Sequence, residues 1–113
     1  MEITQLEKRI ITTFERFDPL RIILFGSHAS GTADQESDVD VIIVYRTEKK
    51  FLDRLKELYV SWDIPKPVDI LAYTPEEFEQ MMEESQFLPE AVSKGKTIYE
   101  GTGARSSSMV SAS

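Results

Sequence analysis

The sequence predicts an α/β or α+β sandwich in which helices pack on one mixed β-sheet. Two observations predict it. Apolar residues at helical spacing alternate along the chain with short β-branched runs, and the 113 residues suffice for one sheet-and-helix core but not for a second lobe. We expect residues 1–100 to form this domain and the Ser-rich segment 101–113 to be a disordered tail or a cloning remnant.

The first predicted element is an amphipathic helix. Its apolar positions recur every three or four residues over 3–17, and Asp18-Pro19 ends it because the residue before a proline avoids helical geometry. The polar residues between the apolar ones are Glu7, Lys8, Glu15 and Arg16. The apolar run Arg21–Phe25, closed by Gly26, predicts a strand buried on both faces. A polar loop is expected over 27–37.

The rest of the chain alternates between strand and helix patterns. β-branched runs indicate strands, and apolar positions on one side of a helix indicate amphipathic helices. Thr74-Pro75-Glu76-Glu77 supplies an N-cap, a first-turn proline and a capping-box glutamate. The predicted elements are a strand over 39–44, a helix over 49–62, a strand over 68–73, a helix over 75–84, a short helix over 87–93 and an edge strand over 97–100.

The composition excludes several classes of protein. The absence of cysteine excludes disulfides and thiolate metal sites, and it leaves oxygen ligands, which suit hard cations such as magnesium. The net charge of −7 disfavours nonspecific binding to duplex nucleic acid. No apolar run approaches the ~20 residues that span a bilayer, and no secretory signal is visible. We therefore expect a cytoplasmic protein with no membrane partner.

Two aspartates at the start of the second strand are candidate metal ligands. Asp38 and Asp40 are two residues apart, so on an extended strand they project from one face with α-carbons roughly 6.6 Å apart. Metal pairs ~3.5–4 Å apart serve in-line displacement at phosphorus. A third carboxylate is expected from a neighbouring strand, where Asp69 lies in an apolar run and would be costly to bury without a cation. Alternatively, the first pair is a solvated turn and Asp69 is exposed at a strand edge.

A glycine turn lies upstream of these aspartates. The Phe25-Gly26-Ser27 turn leaves a buried strand and presents backbone N–H groups beside a hydroxyl. Glycine lets the backbone approach an anion closely, so such a turn can bind phosphate. An isolated Gly-Ser is usually only a turn. In combination with the aspartates, it predicts phosphate donors at one end of a strand-loop-strand unit and metal ligands at the other.

These residues resemble the signature of the DNA polymerase beta-like nucleotidyltransferase superfamily. The signature here is Gly-Ser, ten residues, then Asp-x-Asp, flanked by strands. The resemblance covers roughly residues 3–100, and the short length resembles the minimal nucleotidyltransferase (MNT) proteins. It implies the nucleotidyltransferase fold, triphosphate contacts from Gly26 and Ser27, and catalytic, magnesium-binding carboxylates at Asp38, Asp40 and Asp69.

The resemblance also implies a partner. Minimal members resemble the antitoxin of a pair whose toxin is a helical HEPN protein, and some attach AMP to a tyrosine of that toxin. The first hypothesis is therefore a magnesium-dependent enzyme. It would move a nucleoside monophosphate, from ATP or another nucleoside triphosphate, to a hydroxyl of a partner protein and release pyrophosphate.

Two further hypotheses stay open. Many family members have an arginine where this chain has Ser30, and the loss of that charge motivates a binding module that caps a helical partner without chemistry. The other is transfer to a small molecule such as an aminoglycoside, for which a homo-oligomer would have to supply the missing lobe. The predicted 75–84 helix also carries an acidic face that is either solvated or meets a basic partner; it consists of Glu76, Glu77, Glu79, Glu83 and Glu84.

Overall fold

A computed structural model describes residues 4–26 and 38–101. Within them the elements are, in chain order, α1 (Gln5–Phe14) continued by a 3₁₀ turn (Glu15–Phe17), β1 (Arg21–Phe25), β2 (Val39–Val44), α2 (Phe51–Ser61), β3 (Val68–Tyr73), α3 (Pro75–Glu84), α4 (Phe87–Lys94) and β4 (Lys96–Glu100). The predicted helices and strands are all confirmed, with differences only at their ends. The predicted loop over 27–37 and residues 102–113 of the predicted tail lie outside the described residues.

The four strands form one mixed sheet in the order β3-β2-β1-β4. β1 is antiparallel to both β2 and β4, whereas β2 and β3 are parallel and are connected through α2. The end of β1 and the starts of β2 and β3 therefore meet at one end of the sheet. This confirms the predicted mixed sheet with packed helices.

The central strands bury both faces, because helices cover the sheet on each side. On β2, Val41 and Ile43 face the first core cluster, which includes Ile10 of α1 and Leu58 of α2. Ile42 and Val44 face the second core cluster, together with Phe78 of α3 and Leu88 of α4. Side chains on a strand alternate between faces, so the continuous apolar run predicted a strand buried on both sides.

The helix boundaries follow from local chemistry. Thr74 and Glu77 form the predicted capping box at the start of α3, with Pro75 in the first turn, and Thr4 and Glu7 form a second one at the start of α1. Asp18 adopts a left-handed conformation with φ of 55° and ends the 3₁₀ turn. No helix in these two described ranges has the length and apolar character needed to cross a membrane.

Glu7 differs from the prediction. The sequence pattern places it among the polar residues of the first helix, but its side chain is only 5% exposed. Lys96 of β4 donates to both carboxylate oxygens at 3.0 and 3.1 Å. This partly buried ion pair ties α1 to an edge strand 89 residues away in sequence, and such a distant partner leaves no signal in helical periodicity.

Candidate active site

The predicted metal-ligand aspartates lie at the end of the sheet where β1 ends and β2 and β3 begin. Asp40 is in register with Phe25 of β1 on one side and with Asp69 of β3 on the other. Neighbouring strands are about 4.8 Å apart, and residues in register point to the same face. Asp40 and Asp69 therefore project side by side, while Asp38 directly precedes β2.

The exposure of these aspartates differs from the sequence-based expectation for Asp69. Asp40 is half-buried, whereas Asp38 and Asp69 are exposed. Asp69 is the second residue of β3, which is one of the two edge strands of the four-stranded sheet. The expectation that Asp69 is buried is wrong, so the cost of burying a carboxylate gives no reason for a cation there. The alignment of Asp69 with Asp40 is the observation that remains.

Gly26 brings a backbone turn against Asp40. Its φ is 76°, and a Cβ placed on it would lie 2.5 Å from Oδ2 of Asp40. A side chain at this position would meet both a strained backbone conformation and the neighbouring carboxylate. Gly26 thus lets the turn after β1 approach the aspartates closely. Ser27, the second predicted phosphate contact, and Ser30 lie outside the described residues.

The donor chemistry of this end of the sheet suits a hard cation. Carboxylate oxygens are the ligands that magnesium takes. The backbones of Asp38, Asp40 and Asp69 lie near one another at this end of the sheet. Within residues 4–26 and 38–101, however, no group of three or more carboxylate, imidazole or thiol side chains is placed to hold a metal ion. To hold one ion together, the three carboxylates would therefore have to leave the arrangement that the structure describes.

An apolar recess adjoins the glycine turn. It has a volume of about 340 Å³, and two of its lining residues, Phe25 and Phe87, are in edge-to-face contact with ring centroids 5.8 Å apart. Its lining residues are Phe25, Gly26, Phe87, Glu90, Ala91 and Lys94. The sequence pattern gives Phe87 no role, because periodicity does not reveal which aromatic residue of a short helix faces a site.

A larger recess, of about 560 Å³, lies at the opposite end of the sheet, beside Tyr73. On its wall the guanidinium of Arg54, only 7% exposed, donates to both carboxylate oxygens of Glu77 at 2.6 and 3.0 Å. This hydrogen-bonded pair lowers the pKa of Glu77 and raises that of Arg54. Of the two alternatives for the acidic face, the solvated one is therefore wrong for Glu77, which pairs with Arg54 of the same chain.

Comparison with known proteins gives a family match. A family model described as a nucleotidyltransferase domain matches residues 6–98. A Methanocaldococcus jannaschii protein named as a protein adenylyltransferase is 35% identical over 71 residues, which are 63% of this chain and 72% of that protein. A Haemophilus influenzae protein named as the protein adenylyltransferase MntA is 40% identical over 62 residues, 51% of this chain and 54% of that protein.

Solved structures share the fold. A crystal structure of a toxin–antitoxin with AMP-PNP matches with a TM-score of 0.62 at 21% identity, over 94% of this chain and 87% of that one. A Sulfolobus solfataricus protein described as a nucleotidyltransferase matches with a TM-score of 0.56 at 19% identity, over 84% of this chain and 77% of that one. At these identities the likeness is one of architecture.

Proposed function

This chain belongs to the nucleotidyltransferase domain family, and on that premise we propose that it transfers AMP from ATP to a hydroxyl group of a partner protein. The observation that carries the proposal is the alignment of Asp40 with Asp69 beside the turn at Gly26. The relatives named as protein adenylyltransferases support AMP as the group transferred and a protein as the acceptor.

The proposed reaction is an in-line displacement at the α-phosphorus of ATP. The acceptor oxygen forms a bond to this phosphorus, the bond from the phosphorus to the bridging oxygen of the β-phosphate breaks, and pyrophosphate leaves with the electron pair. The hydroxyl proton passes to a carboxylate, for which we assign Asp69. Backbone N–H groups at Gly26 and Ser27 hold the triphosphate in line with the acceptor.

We assign Asp38 and Asp40 as the ligands of two magnesium ions, with Asp69 completing the shell of one. When bound, the ions would activate the attacking oxygen and stabilise the leaving oxygen. The aspartates' own contribution is to fix where the phosphates lie, since Asp40 is held between β1 and β3. The turn at Gly26 stands against Asp40, so the phosphate donors and the carboxylates face the same ligand.

We further propose that the acceptor is the toxin of a toxin–antitoxin pair, a helical protein of the HEPN type. Two solved toxin–antitoxin structures share the fold of this chain, one with AMP-PNP and one of an MntA–HpeT mutant. In this proposal the partner docks at the end of the sheet where β1 ends and β2 and β3 begin, beside Asp40 and Asp69.

The direct test uses ATP labelled on its α-phosphate, magnesium and the protein encoded by the neighbouring gene. We expect label on the partner with the wild-type chain, and none after Asp38→Ala with Asp40→Ala or after chelation of magnesium. Asp53→Ala with Asp63→Ala is the matched control, because it removes two exposed aspartates elsewhere and should leave labelling intact.

Labelling that is absent with the wild type, or equal in the Asp38→Ala, Asp40→Ala variant, would reject the transferase. A binding module would then be the better description. It would bind the partner equally well without the two aspartates, and calorimetry would show no magnesium-dependent affinity for ATP.

A further inference from the structure

We propose that the apolar recess beside Gly26 binds the base of the nucleotide, with Phe87 of α4 as the aromatic surface on which the base stacks. The inference rests on the proposed function, because it assigns the base of the same nucleotide whose phosphates are assigned to the glycine turn. It concerns a residue to which neither the sequence motif nor the aspartate site gives a role.

The core fixes the position of Phe87. The next residue, Leu88, is fully buried in the second core cluster and anchors α4 against the sheet. Phe87, Ala91 and Lys94 are spaced by four and three residues, so they share one side of the helix. That side lines the recess together with Phe25 and Gly26. Packing of α4 therefore presents Phe87 to the recess.

The recess is continuous with the proposed phosphate and metal site. Phe25, one of its lining residues, is the strand partner of Asp40. Gly26 belongs both to the recess wall and to the turn that packs against the carboxylate of Asp40. A nucleotide whose phosphates lie at this turn thus has an apolar recess next to it on the same face of the sheet.

The surface chemistry of the recess suits an uncharged flat ring better than a phosphate. Phe87 is 52% exposed, so its contact with Phe25 leaves much of its ring uncovered. At the rim, Lys94 and Glu90 form an ion pair with an N···O distance of 2.9 Å, which leaves no net charge there. Stacking of a base on an aromatic ring contributes about 1–3 kcal/mol and tolerates every base. We therefore expect Phe87 to strengthen nucleotide binding without selecting adenine.

The test compares ATP with inorganic tripolyphosphate, which lacks a base, in titration calorimetry with magnesium. Phe87→Ala should weaken ATP binding roughly 5- to 140-fold and leave tripolyphosphate binding unchanged. Phe51→Ala is the matched control, since Phe51 is the first residue of α2, is 40% exposed, and lies at the opposite recess. It should bind both ligands as the wild type does.

A second variant separates stacking from folding. Phe87→Trp keeps an aromatic surface, so it should restore ATP affinity, and the emission of its indole should be quenched by ATP but not by tripolyphosphate. The chain's own tryptophan, Trp62, packs with the first core cluster on the other side of the sheet. Its emission therefore provides a constant background.

The outcomes distinguish this inference from the proposed function. If Phe87→Ala binds ATP as the wild type does, while ATP binding still requires Asp40, the base site is wrong and the transferase stands. Equal losses for ATP and tripolyphosphate would also overturn the base site, because Phe87 would then support the fold. If the wild type binds no ATP, both proposals are wrong.

Discussion

Two separate constraints favour glycine at position 26, one from its backbone conformation and one from the neighbouring carboxylate. Its φ of 76° lies in the left-handed region, which costs most L-residues roughly 1–2 kcal/mol. Independently, a Cβ there would contact Oδ2 of Asp40 at 2.5 Å. The first constraint concerns stability and the second concerns the position of a carboxylate, so two substitutions can separate them.

Gly26→Ala is expected to lower the free energy of unfolding by about 1–2 kcal/mol and to abolish AMP transfer, because its methyl group displaces the Asp40 carboxylate. Gly26→Asn should also abolish transfer but lose less stability, since asparagine tolerates positive φ better than alanine. Urea unfolding and the labelled-ATP assay measure the two effects. Wild-type transfer by either variant would show that the contact with Asp40 does not matter.

At the scale of elements, Arg54 links three pieces of secondary structure. It lies on α2, donates to the carbonyl of Ala72 on β3 at 3.3 Å, and holds Glu77 on α3. Glu77 also closes the capping box at the start of α3. A buried guanidinium left without its carboxylate is strongly destabilising, although the 44% exposure of the Glu77 side chain reduces the effect.

We expect Glu77→Gln to destabilise the chain by about 1–2 kcal/mol at neutral pH, and the difference from the wild type to shrink in acid. The hydrogen bond from Arg54 lowers the pKa of folded Glu77 below its ordinary value of 4.5. The pair therefore stabilises the fold fully above that value, and this stability is lost as pH falls through the lowered, folded pKa.

Urea unfolding at neutral pH and at about pH 3 measures this dependence. Glu83→Gln is the control, because Glu83 is an exposed glutamate on the same helix. The free energy of unfolding of Glu83→Gln should differ little from that of the wild type at both pH values. A Glu77→Gln deficit that stays constant between the two conditions would mean that the carboxylate charge contributes nothing to stability.

For the molecule as a whole, the proposed site predicts a coupling between ligand and stability. The chain carries a net charge of −7, so free ATP is repelled and magnesium is needed to offset the repulsion. Magnesium with ATP at 100 times its Kd should add about 2.7 kcal/mol to the free energy of unfolding, seen as a higher Tm in thermal melts. Asp40→Asn should remove the shift. If Tm rises equally in the Asp40→Asn variant, or rises when ATP is added with a chelator that removes magnesium, the ligand binds elsewhere.

Local patterns predicted most of the fold, and distant contacts account for what they missed. The capping box at Thr74 and the doubly buried β1 and β2 follow from neighbouring residues. The ion pair of Glu7 with Lys96 and the contact of Phe87 with Phe25 join residues far apart in sequence, so no periodicity reveals them. The assignments of Gly26, Ser27, Asp38, Asp40 and Asp69 to ligands stay predictions.

Because β2 and β3 pair in parallel, the packing of the hydrophobic core determines how the site residues of these two strands are aligned. A shift of β3 by one residue would move every side chain of that strand to the opposite face of the sheet. Asp69 would then no longer project beside Asp40. Ile70 and Ala72 on one side, and Leu71 on the other, resist that shift by fitting separate clusters. Substitutions among these three apolar residues can therefore disable transfer while every polar group of the site is intact.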